Sequence, residues 1–262
     1  MKFNLKAELL KLADIIRDMD KKVIIIFLSV SILQTVSWYF TSRRFFRLNL
    51  FNYFSLSQNI DLYEFLYWFI GDFLTFFVLP VLIIVFFLKD KPKNFGFQTG
   101  DHKSGIKISF YFIIIMAVIS WFASSSSSFV ETYPLLQRTK ESWNLFLIYE
   151  AGLFLYVFAW EFIWRGFMLF GLEEKFGYYA VLIQMIPFVI LHNGKPYMET
   201  FGAILGGIAL GILAFRTRSF LYCVIVHICV MFTIDLFSVL RSRAADFGIG
   251  INSFINIIKE IF

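Results

Sequence analysis

Long uncharged runs alternate with short charged stretches along the 262-residue chain. Residues 23–40 (VIIIFLSVSILQTVSWYF) carry no charge. A membrane-crossing helix needs about 20 apolar residues, so this run predicts a first span. The same pattern predicts spans over residues 65–88, 108–123, 143–172, 178–192, 201–215 and 220–240. Asp72 falls inside the second of these, with Pro80 as its kink. Residues 1–22 form a polar, amphipathic lead. The tail, residues 249–262, alternates apolar and polar positions as an interfacial segment does. Two connections are longer than the rest, residues 41–64 and 89–107. The expected fold is all-α, a polytopic membrane helix bundle with about seven to eight transmembrane helices. Three parts follow: residues 1–142 as the lead with three leading spans, 143–240 as the core helices, and 241–262 as an interfacial tail.

Composition sharpens this picture. Apolar residues make up 59% of the chain and charged residues only 16%, with mean hydropathy +0.72. A soluble domain carries roughly a quarter charged residues, so a disordered chain, a disulfide scaffold and most soluble enzymes are excluded. Cys223 and Cys229 share one apolar run, six residues apart and on different helix faces, which argues against a bridge between them. The net charge of +5 reads as the bias of Lys and Arg toward the inner membrane face rather than as nucleic-acid binding. With the N-terminus inside, 14 Lys and Arg lie on inner segments and 9 on outer ones. The expectation is an integral protein of the cell membrane with a cytoplasmic N-terminus.

Ionisable groups inside spans are costly and mark function by default. Here they are Asp72, Glu150, Glu161, Arg165, His192, His227 and Asp235. Glu161 and Arg165 are spaced i,i+4, within ion-pair reach on one helix face; a self-neutralising structural pair is the plain alternative. Glu150 precedes Glu161 by close to three turns and shares its face. At about 1.5 Å per residue, Glu161, His192 and His227 lie roughly 16, 21 and 11 Å from the inner ends of their spans, within two helical turns of one another in depth. Such a set suits zinc or another divalent metal held by imidazoles and a carboxylate. It equally suits a water activated by a general base. Neither HExxH nor Gly-x-Ser-x-Gly is present. Beyond His192, the segment His-Asn-Gly-Lys-Pro-Tyr-Met-Glu breaks the helix and offers Glu199 as an alternative carboxylate, or simply as an acid at a helix start. Asp235, eight residues after His227, is placed to orient that imidazole or to cap a polar stripe. Glycines 202, 206, 207 and 211 predict close helix packing.

Three of these segments resemble the CPBP family, the CAAX-protease and bacteriocin-processing (Rce1/Abi-like) intramembrane proteases. They are Glu161-Phe-Ile-Trp-Arg165-Gly166, Phe188-Val-Ile-Leu-His192, and His227 in a late span, and the resemblance covers about residues 143–240. The family's Glu-Glu-x-x-x-Arg matches at Glu161 and Arg165, with Trp160 in the first Glu place. Its Phe-x-x-x-His matches Phe188 and His192 in full. Its last motif, His then Asn four residues on, matches His227 and has Met231 in the Asn place. The resemblance implies an intramembrane endopeptidase that cleaves a peptide or membrane-protein substrate. Glu161 or Glu199 would work with His192 to activate water, metal-assisted or not, while His227 polarises the scissile carbonyl and Arg165 orders Glu161. A metal would sit among His192, His227 and Glu161, with Glu199, Asp235 and Glu150 as alternative bases or supporting groups. The alternative is a catalytically degenerate scaffold or peptide-binding factor, which Trp160 and Met231 favour. A transporter using Asp72, Glu150 and Asp235 is disfavoured because the two halves show no repeat. The partners expected are a peptide substrate and the bilayer, without nucleic acid; the oligomeric state is left open.

Overall fold

Helix ends follow the polar punctuation of the chain. In the computed structural model, which describes residues 4–261, helix α1 (Leu5–Asp18) is exposed over residues 9–18. Asp20 then caps α2 (Lys21–Phe54) by accepting from the Lys22 and Val23 amides at 2.9 and 3.1 Å. That satisfies two of the donors a helix start leaves free. Ser42 breaks α2 with extended backbone (ψ 157°), and its hydroxyl restarts the helix by accepting from the Phe45 amide. Residues 43–54, expected within a long connection, are therefore helical. Helix α3 (Ile60–Phe87) carries Pro80 directly after a stretch of wider π-type turns, Leu74–Val78, which absorbs the amide that proline lacks.

Asp101 caps α4 (His102–Ala123) through the Ser104 amide at 3.2 Å, six residues earlier than the hydrophobic run suggested. A short α5 (Ser127–Thr132) and a 3₁₀ turn lead to α6 (Trp143–Phe176), capped by Ser142. Then follow α7 (Tyr179–Ile190), α8 (Tyr197–Thr217), α9 (Leu221–Ala244) and α10 (Ile251–Ile258). No strand occurs among the described residues. Helices α2, α3, α4, α6, α8 and α9 are each long and apolar enough to cross a membrane. Helix α7, of 12 residues, is apolar but shorter than these six, so six of the seven expected spans have the length to cross, and the chain is a polytopic helical membrane protein.

The most buried element is α6, in the middle of the bundle. It packs on α3 and α9; α9 also lies along α4, and α7 along α8. Elsewhere large apolar side chains face outward, among them Leu28, Ile32, Ile115 and Phe122, as lipid-facing surfaces require. Half of the glycine expectation holds. A Cβ on Gly207 would sit 2.9 Å from Met185 Cγ, and one on Gly211 2.7 Å from Gln184 Nε2, both across the α7–α8 contact. Gly202 and Gly206 have nothing within 4 Å.

Candidate active site

Glu161 stands at a change of helical pitch. The seven residues after it, Phe162–Met168, wind in wider π-type turns, a device frequent at functional sites. Arg165 lies within this stretch, and its Nη1 donates to Glu161 Oε1 at 3.2 Å. Both side chains are fully buried, so each is the other's main compensation for leaving water. From α9, His227 brings its Nδ1 to the same Oε1 at 2.6 Å. A carboxylate only accepts, so His227 Nδ1 is the donor in this contact. His227 keeps 16% of its side chain accessible.

His192 lies just past the end of α7, and its Nδ1 is 2.6 Å from the Phe188 carbonyl. A carbonyl oxygen also only accepts, which leaves Nε2 as the free basic nitrogen. Phe188 is the hub of the site. Its ring centroid is 4.4 Å from that of His192 and 6.4 Å from that of His227, while the Arg165 guanidinium lies 4.0 Å above its face. The sequence offered Phe188 only as a motif letter. Its part here, as a cation–π seat for Arg165 and a wall for two imidazoles, has a signal in its four-residue spacing from His192. His192 and His227 thus both border the Phe188 ring, and Glu161 joins them through its contact with His227.

The two departures from the motif are equally visible. Trp160 is buried, with its ring 6.4 Å from His192 and 6.1 Å from Phe188; it occupies the side of the site that a first motif Glu would take. Met231 is buried in a second apolar cluster with Phe65, Phe69, Tyr133 and Tyr149.

The remaining candidates divide. Glu199 lies in the first turn of α8, where Lys195 Nζ donates to it at 2.7 Å and the Tyr133 hydroxyl donates to it as well. Burial, then the Glu199 charge, pushes the Tyr133 phenol well up, so it stays a donor. Thr200 Oγ1 ties this helix start to the His192 carbonyl at 2.9 Å. Glu150 and Asp235 belong to another centre. Both are buried, lie within reach of each other, and make no hydrogen bond to Glu161 or His227 among the described residues. Asp235 thus does not orient His227. Asp72 is satisfied locally by Ser37 at 2.8 Å, Thr41 at 2.6 Å and Trp68 Nε1 at 2.8 Å.

As a metal centre the donor set is short. Structural and catalytic zinc takes at least three protein ligands. Glu161 Oε1 is already engaged by Arg165 and His227, and Oε2 is buried without a partner, so the set holds at most that oxygen and two imidazole nitrogens. Among the described residues no group of three or more His, Cys, Asp or Glu side chains is gathered to hold a metal ion.

Around these helices the chain matches a known family: residues 142–233 fit the family model described as type II CAAX prenyl endopeptidase Rce1-like. The match bears out the resemblance drawn from the motifs, over that segment of the 262-residue chain. The segment runs from the cap of α6 into α9 and so contains Glu161, Arg165, His192 and His227. Comparison with curated proteins and with solved structures gives no match.

Proposed function

We propose that the chain is an intramembrane endopeptidase in which His227, aimed by Glu161, is the general base. The contact between Glu161 Oε1 and His227 Nδ1, with the rings of His192 and His227 both against Phe188, supports this reading. A carboxylate fixes the tautomer and orientation of the imidazole and stabilises the imidazolium that forms, the division of labour seen in carboxylate–histidine catalysis generally. The attacking water donates one O–H to each Nε2. Its oxygen then adds to the scissile carbonyl carbon as His227 takes the proton. The tetrahedral intermediate collapses with cleavage of the C–N bond, and His227 returns the proton to the leaving amine. Arg165 keeps Glu161 ionised and in place, and Phe188 seats Arg165. Glu161 and Arg165 are fully buried, and charges out of water interact more strongly than exposed ones.

The test is cleavage of a membrane-anchored peptide library by the purified protein in liposomes. His227→Ala is expected to slow cleavage by about 10²–10⁴-fold, the usual worth of a general base. His192→Ala is expected to abolish it, with folding checked by thermal unfolding. A transition-metal chelator is expected to leave the rate unchanged. Cleavage by the His192→Ala variant at the wild-type rate sinks the assignment.

A second reading rests on Trp160 and Met231, which put apolar side chains in two motif positions. It makes the protein a peptide-binding scaffold on a protease fold. Under it, wild type and His192→Ala capture peptides equally and cleave none, and Trp160→Glu is the variant that gains hydrolysis.

A further inference from the structure

Tyr133 precedes the matched segment, in the connection between α5 and α6. It is fully buried, and its ring packs in the apolar cluster with Phe129, Leu136, Tyr149 and Met231. Close packing of the ring fixes where the hydroxyl points. That hydroxyl donates to Glu199 Oε2, and Lys195 Nζ donates to Glu199 Oε1 at 2.7 Å. Both oxygens of one carboxylate are thus held, one of them by a group from the leading part of the chain. Glu199 lies in the first turn of α8. The next residue, Thr200, donates its Oγ1 to the His192 carbonyl at 2.9 Å, and the Lys195 amide donates to the same carbonyl at 3.2 Å.

His192 depends on such support because of where it stands. It lies between Ile190, the end of α7, and Tyr197, the start of α8. Carbonyls at a helix end lack the intrahelical partners that hold the rest. Asn193 and Gly194 just beyond are exposed, and Gly194 turns the chain in the left-handed region, at φ 95°. A group that takes part in a reaction must be held to within about 0.5 Å. The His192 ring is held through Nδ1 by the Phe188 carbonyl on α7, and its backbone is held from α8. We propose that Tyr133 is a positioning residue for His192, which it holds in place through Glu199 and Thr200 at the start of α8. The leading part of the chain then completes the site of the matched segment. Glu199, with both oxygens engaged, acts as the link rather than as a base. The inference rests on the reading of His192 as part of the cleavage site.

The chain has three histidines, so the full protein in detergent, labelled at histidine with nitrogen-15, gives few imidazole signals by NMR. His102→Gln and His192→Gln assign them. Tyr133→Phe keeps the ring in its cluster and removes only the hydroxyl. It is expected to shift or broaden the His192 signals while those of His102 and His227 stay in place, and Thr200→Val is expected to do the same. In liposome cleavage each variant is expected to lower kcat by about ten- to a hundredfold, the scale of a displacement approaching 1 Å at a reacting group, with KM unchanged. The double variant is expected to lose no more than the worse single one, because the two act along one path. A role in stability alone lowers Tm and leaves the His192 signals where they are. Unmoved His192 signals in Tyr133→Phe overturn the proposal, as do a wild-type kcat in that variant and losses that add in the double variant. If Tyr133→Phe fails to fold, Glu199→Gln carries the same test with the same expected result. If wild type cleaves nothing, the protease reading fails, and the His192 signals alone decide whether Tyr133 holds that residue.

Discussion

At the residue scale, one carboxylate oxygen carries most of the consequence. Glu161 Oε1 serves both Arg165 and His227, and Glu161 Oε2, Arg165 Nε and Arg165 Nη2 have no other partner. Glu161→Gln leaves the guanidinium buried without its anion. It is expected to cost about 3–5 kcal/mol, the penalty for breaking a buried pair from one side, read as a fall in Tm. The side chains of this centre were legible before the fold because helix rise converts sequence position into depth. Depth alone does not give azimuth. Glu150 therefore appeared to belong with Glu161, although its neighbour is Asp235. The sequence held the hint: with Glu161 against His227 on helices of opposite direction, positions 150 and 235 come level within a turn. Trp160 is adjacent to Glu161 and about 100° around the helix, which turns its ring toward His192.

At the element scale, the α7–α8 contact discriminates between glycines that look alike in the sequence. Gln184 Nε2 donates to the Val181 and Gly207 carbonyls at 2.8 and 2.9 Å, so it cannot yield to a methyl group on Gly211. Gly211→Ala is expected to lose about 1–3 kcal/mol through overpacking and to disturb Phe188 and His192 on the same helix edge. Gly202→Ala and Gly206→Ala, facing open space, are expected to hold Tm or raise it, since alanine is the better helix former by up to about 1 kcal/mol. Melting the three variants side by side checks the contrast. The tail is a second element with its own signature. Asp246 is held below the usual carboxylate range by the Gly248 amide first, then Ser253 and Asn256. A depressed folded value means that its stabilising effect is complete above the ordinary carboxylate pKa and is lost as pH falls through the depressed one. Hydrogen exchange over α10 is expected to quicken in that acid range in wild type and to be fast at all pH values in Asp246→Asn.

At the scale of the whole molecule, the expectation of seven crossings puts the start of α2 and the end of α9 on opposite sides of the bilayer. The charge bias argues for the N-terminus inside. A membrane-impermeant maleimide is therefore expected to label Ser55→Cys in intact cells and His102→Cys only after lysis; the reverse pattern inverts the protein. Hydrophobic runs made the six long spans readable, but not the helix over residues 43–54, because three arginines and two asparagines interrupt its apolar pattern and nothing there declares that Ser42 restarts a helix. One short element bears on the surroundings as well. A helix of 12 residues measures about 18 Å, against a hydrocarbon layer of about 30 Å. Lipids beside α7 are expected to compress, or to yield to water, to meet it. The bilayer is then expected to be thinnest where Leu191 and His192 end that helix, a dimple of hydration that travels with the protein.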